Sequence, residues 1–212
     1  MKTVYSIILV LAAVAISSCK KEENQKPSTT VKVSYPTITL NGDAVVILHK
    51  GDSYTDAGAT YYDSLYKDNG SLTTQTSINT TEEGFYIVSY TAKNRYGFES
   101  TSARLVAVTD VDDAFDISGD YARTSNGTII TLSKIGRGVF QTSNACGCSY
   151  EDEAYFMIKS DSTMDMPSQY VPQTEAVADF DGETISYSPK VVYSYTILGP
   201  AYATVVRTFE KQ

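Results

Sequence analysis

The sequence predicts an all-β protein, and three observations carry that reading. The aromatic inventory is lopsided, with 17 Tyr and 7 Phe but no Trp among 212 residues. Tyr, together with abundant Thr and Val, packs well on a half-buried pleated surface. Residues of strong helical preference rarely cluster after position 30, and from Val33 onward short apolar alternations are broken by Gly, Asn and Asp turns. That spacing of strands and turns is the pattern of sandwiches and barrels.

Charged residues make up 20% of the chain and hydrophobic ones 42%, as in a folded globular protein. The formal net charge is −8, and loss of Lys2 with the first eighteen residues takes it to −9. Such a chain is repelled by phosphate backbones, which excludes nucleic acid as a partner. No glycine-rich phosphate loop or dinucleotide fingerprint is present, which removes the nucleotide-binding classes, and no cofactor is expected.

Residues 1–18 read as an address. Lys2 supplies a positive start, Tyr5 to Ile16 is apolar except for Ser6, and Ser17 and Ser18 are small. A dozen apolar residues fall short of the ~20 that span a bilayer as a permanent helix. Ile16-Ser17-Ser18-Cys19 resembles a bacterial lipobox, which implies cleavage before Cys19 and lipidation of its thiol. Several acyl chains, at about 0.8 kcal/mol per buried methylene, make a stable anchor. Residues 19–33 are polar and turn-rich and are expected to form a tether. Within them Lys21-Glu22-Glu23 is similar to the surface-export signal of Bacteroidetes lipoproteins, which implies an outer-membrane protein facing the cell exterior.

Residues 34–110 form the first predicted domain. Val31-Lys32-Val33, Ile38-Thr39-Leu40 and Val45-Val46-Ile47-Leu48 are strand candidates, with turns at Asn41-Gly42-Asp43 and Lys50-Gly51-Asp52. After the turn at Asp68-Asn69-Gly70, residues Gly84 to Asn94 alternate, with Phe85, Ile87 and Ser89 on one face and Tyr86, Val88 and Tyr90 on the other. Ala103 to Val108 close the domain. The segments Gly51 to Ala59, Gly84 to Gly97 and Arg104 to Val108, with the Asn79 to Thr81 turn, resemble bacterial immunoglobulin-like domains of surface proteins and some pesticidal crystal proteins. The resemblance implies a β-sandwich that acts as a spacer or binding module.

Asp110-Val111-Asp112-Asp113 reads as an acidic linker, and residues 111–212 as a second β domain. Strands are expected at 117–123, 128–135, 138–142, 154–159, 176–180, 184–188, 191–198 and 201–209. Eight strands in about a hundred residues point to an antiparallel barrel or meander, lipocalin-like in shape. Ile117 to Tyr121, Gly138 to Asn144 and Thr208 to Lys211 are similar to C-terminal domains that accompany this immunoglobulin-like module in Bacteroidetes lipoproteins.

The chemistry-bearing residues are weighed against plainer roles. Cys146-Gly147-Cys148 is read first as two packed thiols and second as a short-ring disulfide; half a zinc site would lack its other half. His49, the sole histidine, reads as a surface strand-end residue. Glu151, Asp152, Glu153, Asp161, Asp165, Asp179, Asp181 and Glu183 are the carboxylates a glycan hydrolase would use, and most read as solvated charges. Asp110, Asp112, Asp113 and Asp116 could together hold calcium, although their spacing is irregular.

Tyrosine has the best claim on ligand binding. Tyr150, Tyr155, Tyr170, Tyr187, Tyr193, Tyr195 and Tyr202 fall in the second domain. A phenol ring can stack on a sugar face and hydrogen-bond its edge. The competing role is barrel lining, and Tyr193 and Tyr195, two apart, must share a face. The expected function is that of a non-enzymatic surface lipoprotein that binds a glycan, with an outer-membrane protein as the alternative partner.

Overall fold

The computed structural model describes residues 32–67, 71–149, 151–171, 176–199 and 201–212. The leader, most of the tether, Cys19 and Tyr150 lie outside them. Among the described residues every regular element is a strand, and the strands sort into three sheets. β1 (Thr37–Leu40) pairs with β3 (Ala59–Tyr62). A four-stranded sheet runs β2 (Val45–Leu48), β6 (Glu99–Val108), β5 (Gly84–Lys93), β4 (Ser71–Thr76), with β2 parallel to β6. Between the two sheets lie Val88, Tyr90 and Val106, ringed by Ile38, Leu40, Val46, Leu48 and Leu72.

One expectation changes here, and one strand, β4, was not foreseen. Lys32 and Val33 are irregular rather than a strand, and Val31 lies outside the described residues. Val33 and Tyr35 are both exposed, so no core face recruits that stretch, and Pro36 cannot donate to a ladder. β4 carries a single apolar side chain, Leu72, on an otherwise exposed edge, so periodicity could not reveal it.

A buried guanidinium ties the sandwich together. Arg104, on β6, is 1% exposed. Its Nε donates to the Asp43 carbonyl at 2.8 Å, and its Nη atoms bond Asp56, the Tyr90 hydroxyl and the carbonyls of Asn41 and Gly58. Asp56 also accepts from Tyr90 at 2.7 and 2.8 Å and from Tyr54 at 2.9 Å. Burial pushes the Asp56 carboxyl up, but the two phenol donors and the Arg104 charge outweigh it and hold it below its usual range.

The remaining strands form one nine-stranded antiparallel sheet. Its order is β11 (Met164–Asp165), β10 (Ala154–Ile158), β9 (Val139–Thr142), β8 (Ile129–Gly136), β7 (Gly119–Arg123), β15 (Val206–Lys211), β14 (Val192–Leu198), β13 (Ala176–Ser186), β12 (Gln169–Val171). The two segments expected at 176–180 and 184–188 are one strand, β13, interrupted by an irregularity between Asp181 and Thr184. β11 and β12 are too short to leave a sequence signal. The sheet curls around Tyr121, Phe140, Phe156, Tyr193, Tyr195 and Phe209, whose rings stack or tilt against one another at 5.1–6.1 Å. One side chain bridges from β12 at one end of the sheet to β10 near the other. The Gln169 amide accepts from the Tyr155 amide at 2.7 Å and donates to the Tyr155 carbonyl at 2.9 Å, a ladder rung made by a side chain.

The acidic stretch after β6 is not a hinge. Residues 34–212 form one compact unit. Ala107, Val139 and Met157 make a buried layer with Val45, Ile47 and Phe85 between sandwich and barrel. A methyl on Gly136 would overlap Ile47 Cδ1, so the β8–β9 hairpin approaches β2 as closely as a glycine permits. Around that layer Glu83 accepts from the amides of Asp110 and Ser160, Asp165 from the amide of Phe85, and the Ile158 carbonyl from the Thr109 hydroxyl. Burial raises the Glu83 carboxyl, but these donors outweigh it and leave it lowered. The four linker aspartates go to separate partners. Asp110 takes His49 and the Lys50 amide, Asp113 takes Arg137, and Asp112 and Asp116 cap the Ala114 and Ser118 amides. Among the described residues no group of three or more metal-ligating side chains forms.

Two tests follow from these ties. Replacing Gln169 with Leu strands the buried amide and carbonyl of Tyr155; urea unfolding should show a loss of about 2–4 kcal/mol, with faster hydrogen exchange at Tyr155. Asp56→Asn leaves Arg104 without its counter-charge and should cost about 3–5 kcal/mol. Because Asp56 and Glu83 are lowered in the fold, their contribution is present above the unfolded carboxylate pKa of about 4 and disappears as pH falls through the lower folded values. The midpoint of thermal unfolding should therefore hold from neutrality to about pH 5 and drop below about pH 4.

Candidate functional site

The strand registers give the barrel two unlike ends. At one end Gly136, Val139, Met157, Ile158 and Asp165 meet the sandwich. The opposite end is built from the ends of β7, β9 and β14, the starts of β10, β13 and β15, and the loops between them. This free end gathers charged, aromatic and sulfur-bearing residues, and it is the candidate site.

The loop after β9 folds over that end. Ala145 donates its amide to the Asp152 carbonyl at 2.7 Å, and its own carbonyl accepts from the Tyr195 hydroxyl at 2.8 Å. Cys146 and Cys148 are joined in a disulfide with Cα atoms 5.1 Å apart. This replaces the leading expectation of two packed thiols with the second one. Gly147 between them has φ +57, and a methyl there would strike Arg123 Cδ and the Phe209 ring. The turn is pressed onto the barrel end, where the Gly147 carbonyl accepts from Arg123 at 3.3 Å and from Asn126 at 2.9 Å.

Arg207, opposite Tyr195 on the neighbouring strand, points into the same end and is 3% exposed. It donates to the carbonyls of Val205 at 2.9 Å and Ala203 at 3.2 Å, and its guanidinium lies 5.7 Å over the Tyr202 ring. The Tyr202 hydroxyl bonds Asp152, which is wholly buried. Burial first, and the nearby Arg123 charge second, pull the Arg207 guanidinium below its ordinary value.

The candidate tyrosines divide. Tyr193 and Tyr195 do share a face, and that face is the core: both are 0% exposed, so neither can meet a surface ligand. Burial drives both phenols well above their ordinary value. Tyr187 is half-buried at the opposite end, bonded to the Ser162 carbonyl and packed on Phe115. It borders a shallow depression with Pro189, Lys190, Val191, Lys211 and Gln212. Tyr155, partly buried, has its hydroxyl on Gln141. Tyr170 is 56% exposed and pairs across the sheet with Val177, at 58%. The free end thus brings together Tyr195, Tyr202, Arg123, Arg207 and Asp152, with Tyr170 on the outer face beside it.

Several of the expected carboxylates hold local hydrogen bonds. Asp161 caps Thr163, Asp165 holds Phe85, Asp179 takes Ser168 and Glu153 takes Gln141. His49 is exposed, on Asp110 and against the Arg137 guanidinium. Arg123 and Arg207 were not legible as a site, because each stands alone in a strand-like stretch. The only sequence signal was Arg207 at an alternation position that should carry an apolar side chain.

Residues 38–108 match the family model of the bacterial surface protein Ig-like domain, which accounts for the sandwich and leaves the barrel outside the match. No curated protein matches the chain. Among solved structures, a lipoprotein of Bacteroides thetaiotaomicron is 20% identical, covering 84% of this chain and 100% of its own at a TM-score of 0.39.

The division of the tyrosines has a measurable consequence. Tyr193→Ala should cost about 3–5 kcal/mol in urea unfolding, while Tyr170→Ala should stay within about 0.5 kcal/mol.

Proposed function

We propose that this chain is a non-enzymatic lipoprotein of the outer membrane, cut before Cys19, lipidated there and facing the cell exterior. Its barrel binds a glycan at the free end, and the immunoglobulin-like domain is a rigid spacer. The leader and lipobox support the anchor, and the surface-protein family of residues 38–108 supports the setting.

The observation that carries the spacer reading is the order of parts along residues 34–212. The Ser34 carbonyl accepts from Asn94 at the β5–β6 turn, while Gly84 and Phe85 at the other end of β5 meet the barrel. A ten-residue strand spans about 33 Å. Ser34 therefore lies at one end of the unit and the free barrel end at the other. Side chains fill the barrel interior, so a sugar ring is met at the free end, where Tyr170 and the half-buried Tyr202 lie.

A second reading is adhesion to another surface protein. The exposed pair Tyr170 and Val177, with Leu198 at 38% exposure nearby, gives it an apolar patch.

A glycan array probed with the chain from residue 27 tests the first reading. Reproducible hits should fall about tenfold on combining Tyr170→Ala with Tyr202→Ala. A blank array, with one stoichiometric partner cross-linked on intact cells, would shift the conclusion to the adhesive reading.

A further inference from the structure

Buried guanidinium groups in folded proteins are held by carboxylates or by full sets of acceptors. Arg104 shows the ordinary solution, with Asp56 and three carbonyls around it. The free end of the barrel departs from it. Arg207 bonds two carbonyls of its own loop, and its buried Nε has no partner. Arg123 bonds the Gly147 carbonyl, and its buried Nε is likewise unpartnered. Among the described residues neither has a carboxylate within ion-pair distance.

Arg123 lies opposite Phe209 on β15, two residues along that strand from Arg207, so the two like charges sit near each other. The third charged group there, Asp152, gives one oxygen to Tyr202 and keeps the other buried without a partner. Three unpartnered atoms from charged side chains therefore converge at one end of a protein whose net charge is −8. An unmet buried donor is destabilising. A chain that concentrates such costs at one place, with like charges adjacent, has left donors open for something that arrives.

We propose that Arg123 and Arg207 bind one oxyanion between them, a carboxylate or sulfate of the kind acidic sugars carry. The planar guanidinium fork matches such groups, and binding at a site already stripped of water makes each charge-assisted bond strong. The proposal narrows the ligand-binding reading above, on which it rests, to acidic ligands. Arg123, the more exposed of the two, meets the incoming group, and Arg207 takes its inner oxygen. Asp152 opposes the anion, which weakens the hold on a small ion that offers no further contacts.

The test follows the Nε–Hε signals of the arginines by NMR in the chain from residue 27. Sodium sulfate, sodium galacturonate and its methyl glycoside are titrated against sodium chloride at matched ionic strength. Two of the signals should shift saturably with sulfate and with galacturonate, and stronger binding of the glycoside than of free sulfate would assign the anion to a sugar. Arg123→Gln should weaken binding about tenfold, while Asp152→Asn, which preserves shape and the Tyr202 bond, should tighten it. Shifts that track chloride without saturating, or binding indifferent to both variants, would overturn the proposal and leave ordered water as the partner of these atoms. Array hits on neutral glycans that survive Arg123→Gln would keep the general glycan reading and remove this one. Sulfate binding beside a blank array would do the reverse.

Discussion

The structure depends on one sheet that is apolar on both of its faces. In β2 and the ends of β5 and β6, alternate side chains serve different cores. Val46, Leu48, Val88 and Val106 fill the sandwich, while Val45, Ile47, Phe85 and Ala107 cover the barrel end. Burial on both faces is why Val45-Val46-Ile47-Leu48 and Leu105-Val106-Ala107-Val108 read as unbroken apolar runs. Neither the sandwich nor the barrel can be exposed at this layer without leaving that area to water, so the two domains stand as one body.

Two arginines on inward-facing strand positions are handled in opposite ways. Arg104 is surrounded by acceptors and a carboxylate, and Asp56 and Gly58 among them belong to the Gly51 to Ala59 segment that carries part of the resemblance to immunoglobulin-like domains. That part of the motif is structural: it solves the problem of a charge in a core. Arg207 occupies an equally buried position without the same provision. The contrast within one chain shows that an unmatched cation is not a habit of this fold.

Much of the fold was legible because it is carried by local signals. The alternation from Gly84 to Asn94 and the turn at Asn41-Gly42-Asp43 set strands and reversals directly. β3, β4, β11 and β12 were not legible, since short or polar strands are defined by the neighbour that pairs with them. The acidic stretch at Asp110 to Asp113 does connect sandwich and barrel, but composition reports its solvation and not the buried layer beside it. For the site, the candidate tyrosines were the right residue type, but spacing alone could not say that Tyr193 and Tyr195 face inward. Arg123, Asp152 and Arg207 meet through turns and registers far apart in the chain, and no window of sequence contains them.

β7, the first strand of the barrel, takes β15 as one of its two neighbours, with Arg123 set against Phe209. Everything between those residues must be present before that seam can form. Loop-closure entropy is spent early and recovered late in such a topology, so folding is slow and the half-made barrel exposes open edges. The sandwich, whose strands are all earlier in the chain, offers its two-faced sheet as a finished surface by then. The barrel can assemble on it as on a template, which makes the order of the domains part of how the protein reaches its shape.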